Sequence, residues 1–180
     1  MYMKKFIKWF FGIIIALIVL ILIVAAILPK DFHAEGTTTI NKPNKVVFDY
    51  VKHLKNQENY GVWFRLEDNI KKNYQGTDGT VGFIYIWKGD KVGEGKQVIT
   101  KIEEGKRIDM DLFFNNAPNA ANSYISTEEI SPNKTKVNWV IDGKMPYPFN
   151  IMSLFYAMNN DFEQGTANLK EVLEKELFQI

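Results

Sequence analysis

Hydrophobic and polar positions divide this chain into two parts. Residues 9–28 form an unbroken run of 20 without a charge, introduced by Lys4, Lys5 and Lys8. At the helical rise such a run spans about 30 Å, the thickness of a bilayer's hydrocarbon core. It holds no proline, and Gly12 is its only poor helix former, so a helix here satisfies its own backbone hydrogen bonds throughout an apolar layer. The reading is one N-terminal transmembrane anchor over residues 1–29 and one domain over residues 30–180. A secretory signal also has a basic start and an apolar centre, and Val24-Ala25-Ala26 has the small residues of a cleavage site. Its apolar stretch, however, is only about 7 to 15 residues. Three lysines precede the run, whereas Lys30 follows it beside Asp31. The positive-inside tendency then makes this a single-pass cell-membrane protein, with its N-terminus cytoplasmic and its domain extracytoplasmic.

Beyond the run the pattern becomes periodic. Residues 33–40 are rich in threonine and end at Asn41-Lys42-Pro43, which predicts a strand and then a helix with proline in its first turn. Val47, Tyr50, Val51 and Leu54 follow helical spacing and turn Lys45, Asp49 and Lys52 outward. A second short helix is expected from residue 56 to about residue 63. The period then changes to two, predicting strands near 70–74, 81–87, 93–102, 107–114, 122–130 and 136–141. Gly76-Thr77-Asp78-Gly79, Lys88-Gly89-Asp90, Glu103-Glu104-Gly105-Lys106 and Ser131-Pro132-Asn133-Lys134 supply the intervening turns. After Met145-Pro146-Tyr147-Pro148 the apolar residues Met152, Phe155, Phe162, Leu169, Val172 and Leu173 return to helical spacing, predicting one long helix over 149–177.

That order gives an α+β fold, a curved antiparallel sheet of about seven strands gripping a long C-terminal helix, with two short helices after strand 1. Only the terminal helix is large and amphipathic enough to cover the sheet. Strand parity puts Phe83, Tyr85 and Trp87 on one face of their strand and Ile108, Met110, Leu112 and Phe114 on one face of theirs, with Asp109 and Asp111 opposite, and Val137, Trp139 and Ile141 make a third row. A helix spanning a strongly curved sheet leaves volume between the two, and such pockets are apolar with few polar groups. Trp63, Tyr85, Trp87, Met110, Trp139, Phe155 and Met158 are therefore the candidate ligand-binding residues, with Tyr85 or a tryptophan N–H orienting a polar end. Any one of these side chains also suits ordinary core packing.

Charge and composition narrow the function. All 21 acidic residues and all but three of the 22 basic ones follow the apolar run, so the domain carries a formal charge of −2. Nucleic acid needs a clustered positive surface and is not an expected partner. The chain has no cysteine and two histidines, which removes disulfides and thiolate chemistry and argues against a metal site. No cofactor is expected.

Several segments resemble one family. Residues 39–51, Thr-Ile-Asn-Lys-Pro-Asn-Lys-Val-Val-Phe-Asp-Tyr-Val, look like the first strand and helix of the START-related superfamily (SRPBCC), which also holds birch-pollen-allergen-like proteins and aromatic polyketide cyclases. The glycine-flanked Phe83-Ile84-Tyr85-Ile86-Trp87 within residues 76–95 is similar to the Tyr-x-Trp hairpin of its bacterial polyketide-cyclase-like branch. Asp161-Phe-Glu-Gln-Gly-Thr-Ala-Asn-Leu-Lys170 resembles its closing helix. The resemblance covers residues 32–175 and extends to an N-terminal anchor, which a membrane-tethered subset carries. One departure is Glu58-Asn59-Tyr60-Gly61-Val62-Trp63, where Tyr60 takes the place of an earlier tryptophan. The family implies a deep cavity between sheet and helix for an apolar or amphipathic ligand. It implies no single activity, since carriers, sensors and enzymes share the fold.

No catalytic constellation stands out. Asp109 and Asp111 face away from the apolar rows, Glu94 lies between turn glycines, His53 ends the first helix where its imidazole meets the negative dipole end, and His33 follows the anchor closely. The preferred function is a membrane-anchored binding module for a small apolar or amphipathic ligand. The alternatives are a polyketide cyclase/dehydratase-like enzyme, and a protein-interaction module at the membrane surface, whose partner the sequence does not name.

Overall fold

The computed structural model describes residues 2–115, 119–155 and 157–175. They fall into two compact units, one of Met1–Phe32 with Lys144–Ala157 and the other of His33–Gly143 with Met158–Ile180.

The first unit is built on helix α1 (Tyr2–Ile27). Within its span Lys5–Ile27 an 18-residue stretch reaches mean hydropathy 3.4, and this is the one helix among the described residues long and apolar enough to cross a membrane. Residues 145–157 pack with it, but not as the start of a long helix. Phe149–Leu154 is a 3₁₀ turn, and the terminal helix begins only at Met158. The apolar spacing through Met152 and Phe155 is overridden by a tertiary demand. Asn150 turns inward and its Nδ2 donates to the carbonyl of Ala25 at 2.7 Å and of Leu28 at 3.1 Å. Ser153 Oγ donates to the Asn150 carbonyl at 2.8 Å, a local bond that competes with helix continuation.

The second unit carries the sheet. Strands β1 (Asp31–Ile40), β2 (Lys71–Gln75), β3 (Ile84–Gly89), β4 (Gly93–Glu103), β5 (Arg107–Phe114), β6 (Ala121–Ser131) and β7 (Lys134–Lys144) stand in the order β1-β7-β6-β5-β4-β3-β2. Neighbours from β2 through β7 pair antiparallel. Helices α2 (Asn44–Val51) and α3 (Gln57–Tyr60) follow β1, and α4 (Met158–Lys175) closes the chain. This is the expected α+β arrangement, a curved antiparallel sheet gripping a C-terminal helix. The expected helix end at residue 177 lies outside the described residues.

Two boundaries differ from the pattern for identifiable reasons. β3 starts at Ile84 rather than Val81, because Gly82 sits at φ 87° and Val81 points to solvent. Leu54 is buried as expected but stands beyond the end of α2, in a turn whose Leu54 N–H donates to Asp78 Oδ1 at 2.8 Å.

The apolar rows face α4. Phe83, Tyr85, Ile99, Ile108, Met110, Ile125, Val137, Trp139 and Ile141 are buried from the sheet, and Phe162, Gly165, Thr166, Leu169 and Leu173 from the helix. Full burial of each large apolar side chain contributes about 1.5–3 kcal/mol. Polar ties fix the helix along β1. The Glu35 N–H donates to Asn159 Oδ1 at 3.1 Å, the Asn41 N–H to Glu174 at 2.7 Å, and Lys170 Nζ to the Thr39 carbonyl at 2.6 Å. Gly36 makes the approach sterically feasible, since a Cβ there would stand 2.1 Å from the Phe162 carbonyl oxygen.

Candidate functional site

The inner face holds most of the residues that the pattern selected, but in two groups. Trp139 on β7 meets Trp63 edge-on at 5.6 Å between ring centroids and Phe162 of α4 at 5.0 Å. Trp63 also meets Phe162 at 5.3 Å, and Tyr60 meets Trp139 at 5.5 Å. Such edge-to-face contacts are favourable beyond the area they bury. These rings form one contiguous aromatic cluster. In the second group Tyr85 stacks on Phe64 at 5.5 Å and on Tyr74 at 5.2 Å, and its edge meets Trp87 at 6.0 Å. Trp87 continues to Phe114 at 6.3 Å. Met158 is half-buried at the start of α4. Phe155 belongs to the first unit, with 79% of its surface exposed.

Burial along the inner row of β5 is graded. Ile108 and Met110 are closed off, Leu112 is half-buried, and Phe114 is 41% exposed. Exposure therefore rises toward the C-terminal end of β5, where the Trp87 ring meets Phe114. Gly95, opposite Trp87 in the β3–β4 register, lets the indole fold over the strand, as a Cβ there would stand 2.5 Å from Cζ2.

Polar side chains flank that row, with Gln97 standing opposite Leu112 in the β4–β5 register. Gln97 of β4 and Gln57 of α3 are both buried, and Gln97 Nε2 approaches Met110 Sδ at 2.9 Å while Gln57 Nε2 lies 4.0 Å from the same sulfur. A thioether is a weak acceptor, so two desolvated amides aimed at it are poorly matched. Ser123 Oγ donates to the Val140 carbonyl at 2.7 Å and is satisfied.

The titratable groups around the second aromatic group are locked together. Glu58 accepts from Lys72 Nζ, from the Tyr74 hydroxyl at 2.6 Å and from the Tyr85 hydroxyl at 3.3 Å. Burial pushes the Glu58 carboxyl up, but the hydrogen bonds and charge of Lys72 and the tyrosines outweigh it, leaving the group below its ordinary value. Burial, then the neighbouring Glu58, raises the Tyr74 and Tyr85 phenols. At neutral pH the cluster is a carboxylate with two protonated phenols, a tie between α3 and the β2–β3 hairpin rather than a poised acid–base pair. Burial also raises the Asp161 carboxyl, with the Trp63 indole N–H acting the other way.

The remaining candidates sit on the surface or in structural bonds. Asp109 accepts from Arg107 Nε at 2.7 Å, Glu94 pairs with Lys88 at 2.7 Å, His33 Nδ1 lies 2.7 Å from Asp142, and His53 Nδ1 lies 2.8 Å from the Asp49 carbonyl at the end of α2. Among the described residues no three His, Asp or Glu side chains converge as a metal site would require. An open hollow of about 520 Å³ is lined by Ile86, Trp87, Lys88, Glu94, Gly95, Lys96 and Phe113. Ile86, Lys88, Lys96 and Phe113 are outer-row positions, so this hollow shares only Trp87 and Gly95 with the inner rows and is distinct from the interior facing α4.

Gln57, Gln97, Phe64 and Phe114 complete the site and are not among the residues that the sequence reading singled out as ligand contacts. Gln97 had a usable signal: it occupies the inward parity of β4 two residues before Ile99, where a polar residue is out of place.

No family model and no curated sequence matches the chain. Solved structures do. The Aha1 dimer from Colwellia psychrerythraea is similar at 13% identity and a TM-score of 0.57, with 79% of this chain and 96% of that one covered. Norcoclaurine synthase from Thalictrum flavum, in complex with dopamine and hydroxybenzaldehyde, is similar at 12% identity and 0.59, covering 80% and 87%. A protein from Mesorhizobium loti gives 11% identity and 0.59, covering 80% and 98%. At such identities the likeness is one of fold alone, an antiparallel sheet gripping a C-terminal helix.

Proposed function

We propose that this chain is a membrane-anchored module that binds one small apolar or amphipathic molecule between sheet and α4, with α1 as an uncleaved anchor. The observation that carries the reading is the gradient along β5, from exposed Phe114 through Leu112 to closed Met110, with the amides of Gln57 and Gln97 directed at the Met110 sulfur beside it. An apolar passage with a few underused polar groups is the usual build of a small-molecule pocket. Trp87, Leu112 and Phe114 form the entrance, Tyr85 and Met110 the wall, and the two amides meet a carbonyl or hydroxyl of the ligand. Trp63, Trp139 and Met158 bound the far side and position α4. Because Tyr85 and Met110 are closed off, binding requires side chains to move by rotamer changes. A fold neighbour holding dopamine and hydroxybenzaldehyde supports a ligand of that size.

Titrating the full chain in nanodiscs with a fluorescent fatty-acid probe tests the reading. Saturable binding that is lost in Leu112→Trp, with unchanged unfolding, is expected; binding unaffected by plugging the entrance would refute it. Three lysines in the first turns of α1, ahead of its uncharged run, favour a cytoplasmic N-terminus. A reporter fused after Ile180 that works only in the cytoplasm would reverse that orientation.

A further inference from the structure

Residues 145–160 carry no charge, a stretch of 16 positions between Lys144 and Asp161. In a surface segment of a soluble unit this is out of character. Phe149, Met152, Leu154 and Phe155 expose between 51% and 79% of their surface, and four large apolar side chains exposed within seven residues mark a surface made to be covered.

What covers it follows from its position within the first unit. Asn150 is fully buried, and its Nδ2 reaches the carbonyls of Ala25 and Leu28. The last four carbonyls of a helix lack intrahelical partners, and in an apolar layer each such orphan costs several kcal/mol. Asn150 supplies donors to α1 at that point. Ala25 lies three residues before Leu28, about 5 Å inside the end of the apolar run. The 3₁₀ turn is thereby bonded to α1 at the depth where hydrocarbon gives way to headgroups. Lys30, Asp31 and Lys144 stand just beyond, with Lys144 Nζ 3.5 Å from Asp31, and the Met145 N–H donates to the Lys30 carbonyl at 2.8 Å. Aromatic and apolar side chains with charges immediately flanking them suit that boundary.

We propose that residues 147–155 are a membrane-embedded foot: a second, interfacial element that lies in the headgroup–acyl boundary beside α1, with Phe149, Met152, Leu154 and Phe155 in lipid. Its occupant is the bilayer, because the exposed side chains continue the lipid-facing surface of the helix to which Asn150 ties them. The proposal rests on α1 being a membrane anchor. The foot converts a flexible tether into a two-point attachment, in the manner of interfacial elements that bury an apolar face by several ångströms.

The natural chain has no cysteine, so single spin labels report cleanly. Full-length protein carrying Val19→Cys, Met152→Cys, Phe155→Cys or Ile130→Cys is labelled in nanodiscs of phosphatidylcholine and phosphatidylglycerol. Collision with oxygen is then compared with collision with a water-soluble nickel complex. Val19 probes α1, and Ile130, an exposed β6 residue, gives the aqueous reference. The expected result is an oxygen-to-nickel ratio several-fold above that of Ile130 at positions 19, 152 and 155. A lipid-like value at 19 with water-like values at 152 and 155 overturns the foot and leaves the anchor standing. Protection of 152 and 155 from both reagents, the mark of a protein occupant, also overturns it. A water-like value at 19 removes the anchor reading and the foot together.

Discussion

Gly165 of α4 lies under the indole of Trp139, so close that a Cβ added there would stand 2.9 Å from Cζ3. Replacing an exposed helical glycine by alanine is worth about 1 kcal/mol in helix propensity. Here the added methyl meets a ring held by Trp63, Tyr60 and Phe162 and cannot be accommodated by a rotamer change. Gly165→Ala is expected to destabilise the domain by about 1–3 kcal/mol. Gly36→Ala, whose methyl would meet the backbone of Phe162, is expected to cost at least as much. Denaturant unfolding of the two variants checks both; a stabilised Gly165→Ala would show that α4 is not seated as described.

Tyr60 takes the place of a tryptophan in the resembled pattern and is fully buried. Its hydroxyl has no hydrogen-bond partner among the described residues. An unmatched buried hydroxyl costs about 1–3 kcal/mol relative to its removal. Tyr60→Phe keeps the ring contact with Trp139 and is expected to raise stability by about 1 kcal/mol. A fall in the thermal midpoint of similar size would mean that the hydroxyl is satisfied.

The Glu58 cluster makes stability depend on pH at both ends. The folded carboxyl titrates below its ordinary value of about 4.3. Its contribution is present above that value and is lost as pH falls through the lower folded one. The Tyr74 and Tyr85 phenols are raised. Their contribution is present below the ordinary value of about 10 and is lost as pH rises past it. Glu58→Gln is therefore expected to cost about 1–2 kcal/mol at pH 7 and progressively less as pH falls below the ordinary carboxylate value. A stability gap that stays constant from pH 7 to pH 3 would contradict the arrangement.

Gln97 separates binding from folding. Replacing a buried, poorly matched amide with leucine is expected to leave stability unchanged or raise it by about 1 kcal/mol. Affinity for a ligand bearing a carbonyl or hydroxyl should fall about tenfold, one lost hydrogen bond. If Gln97→Leu unfolds the protein, the amide is structural and the proposed polar end of the pocket is misplaced.

Much of the architecture was legible in the chain, for physical reasons. Period-two alternation placed β5 at its observed bounds and put Tyr85, Met110 and Trp139 on one face, because a half-buried strand leaves that signature whatever its partners are. The segment at 149–157 was misread for the converse reason. Periodicity records which side chains are apolar, whereas the backbone there answers to Asn150 and the carbonyls of α1, a long-range demand without local signature. The aromatic residues were readable as a set but not as two groups, since the contact between Trp139 and Phe162 depends on how close Gly36 and Gly165 let α4 approach. Gln57 belongs to a single turn of helix too short for any period to reveal its facing.

The central claim is that the interior beside Met110 receives a molecule. Native mass spectrometry of the full chain, released from nanodiscs at increasing collision energy, addresses it most directly. The account predicts one adduct of a few hundred daltons, roughly the size a pocket of this class admits, retained after the last lipid is stripped and absent from Leu112→Trp. The bare chain mass alone, both as purified and after incubation with fatty acids and small aromatic amines, would contradict it.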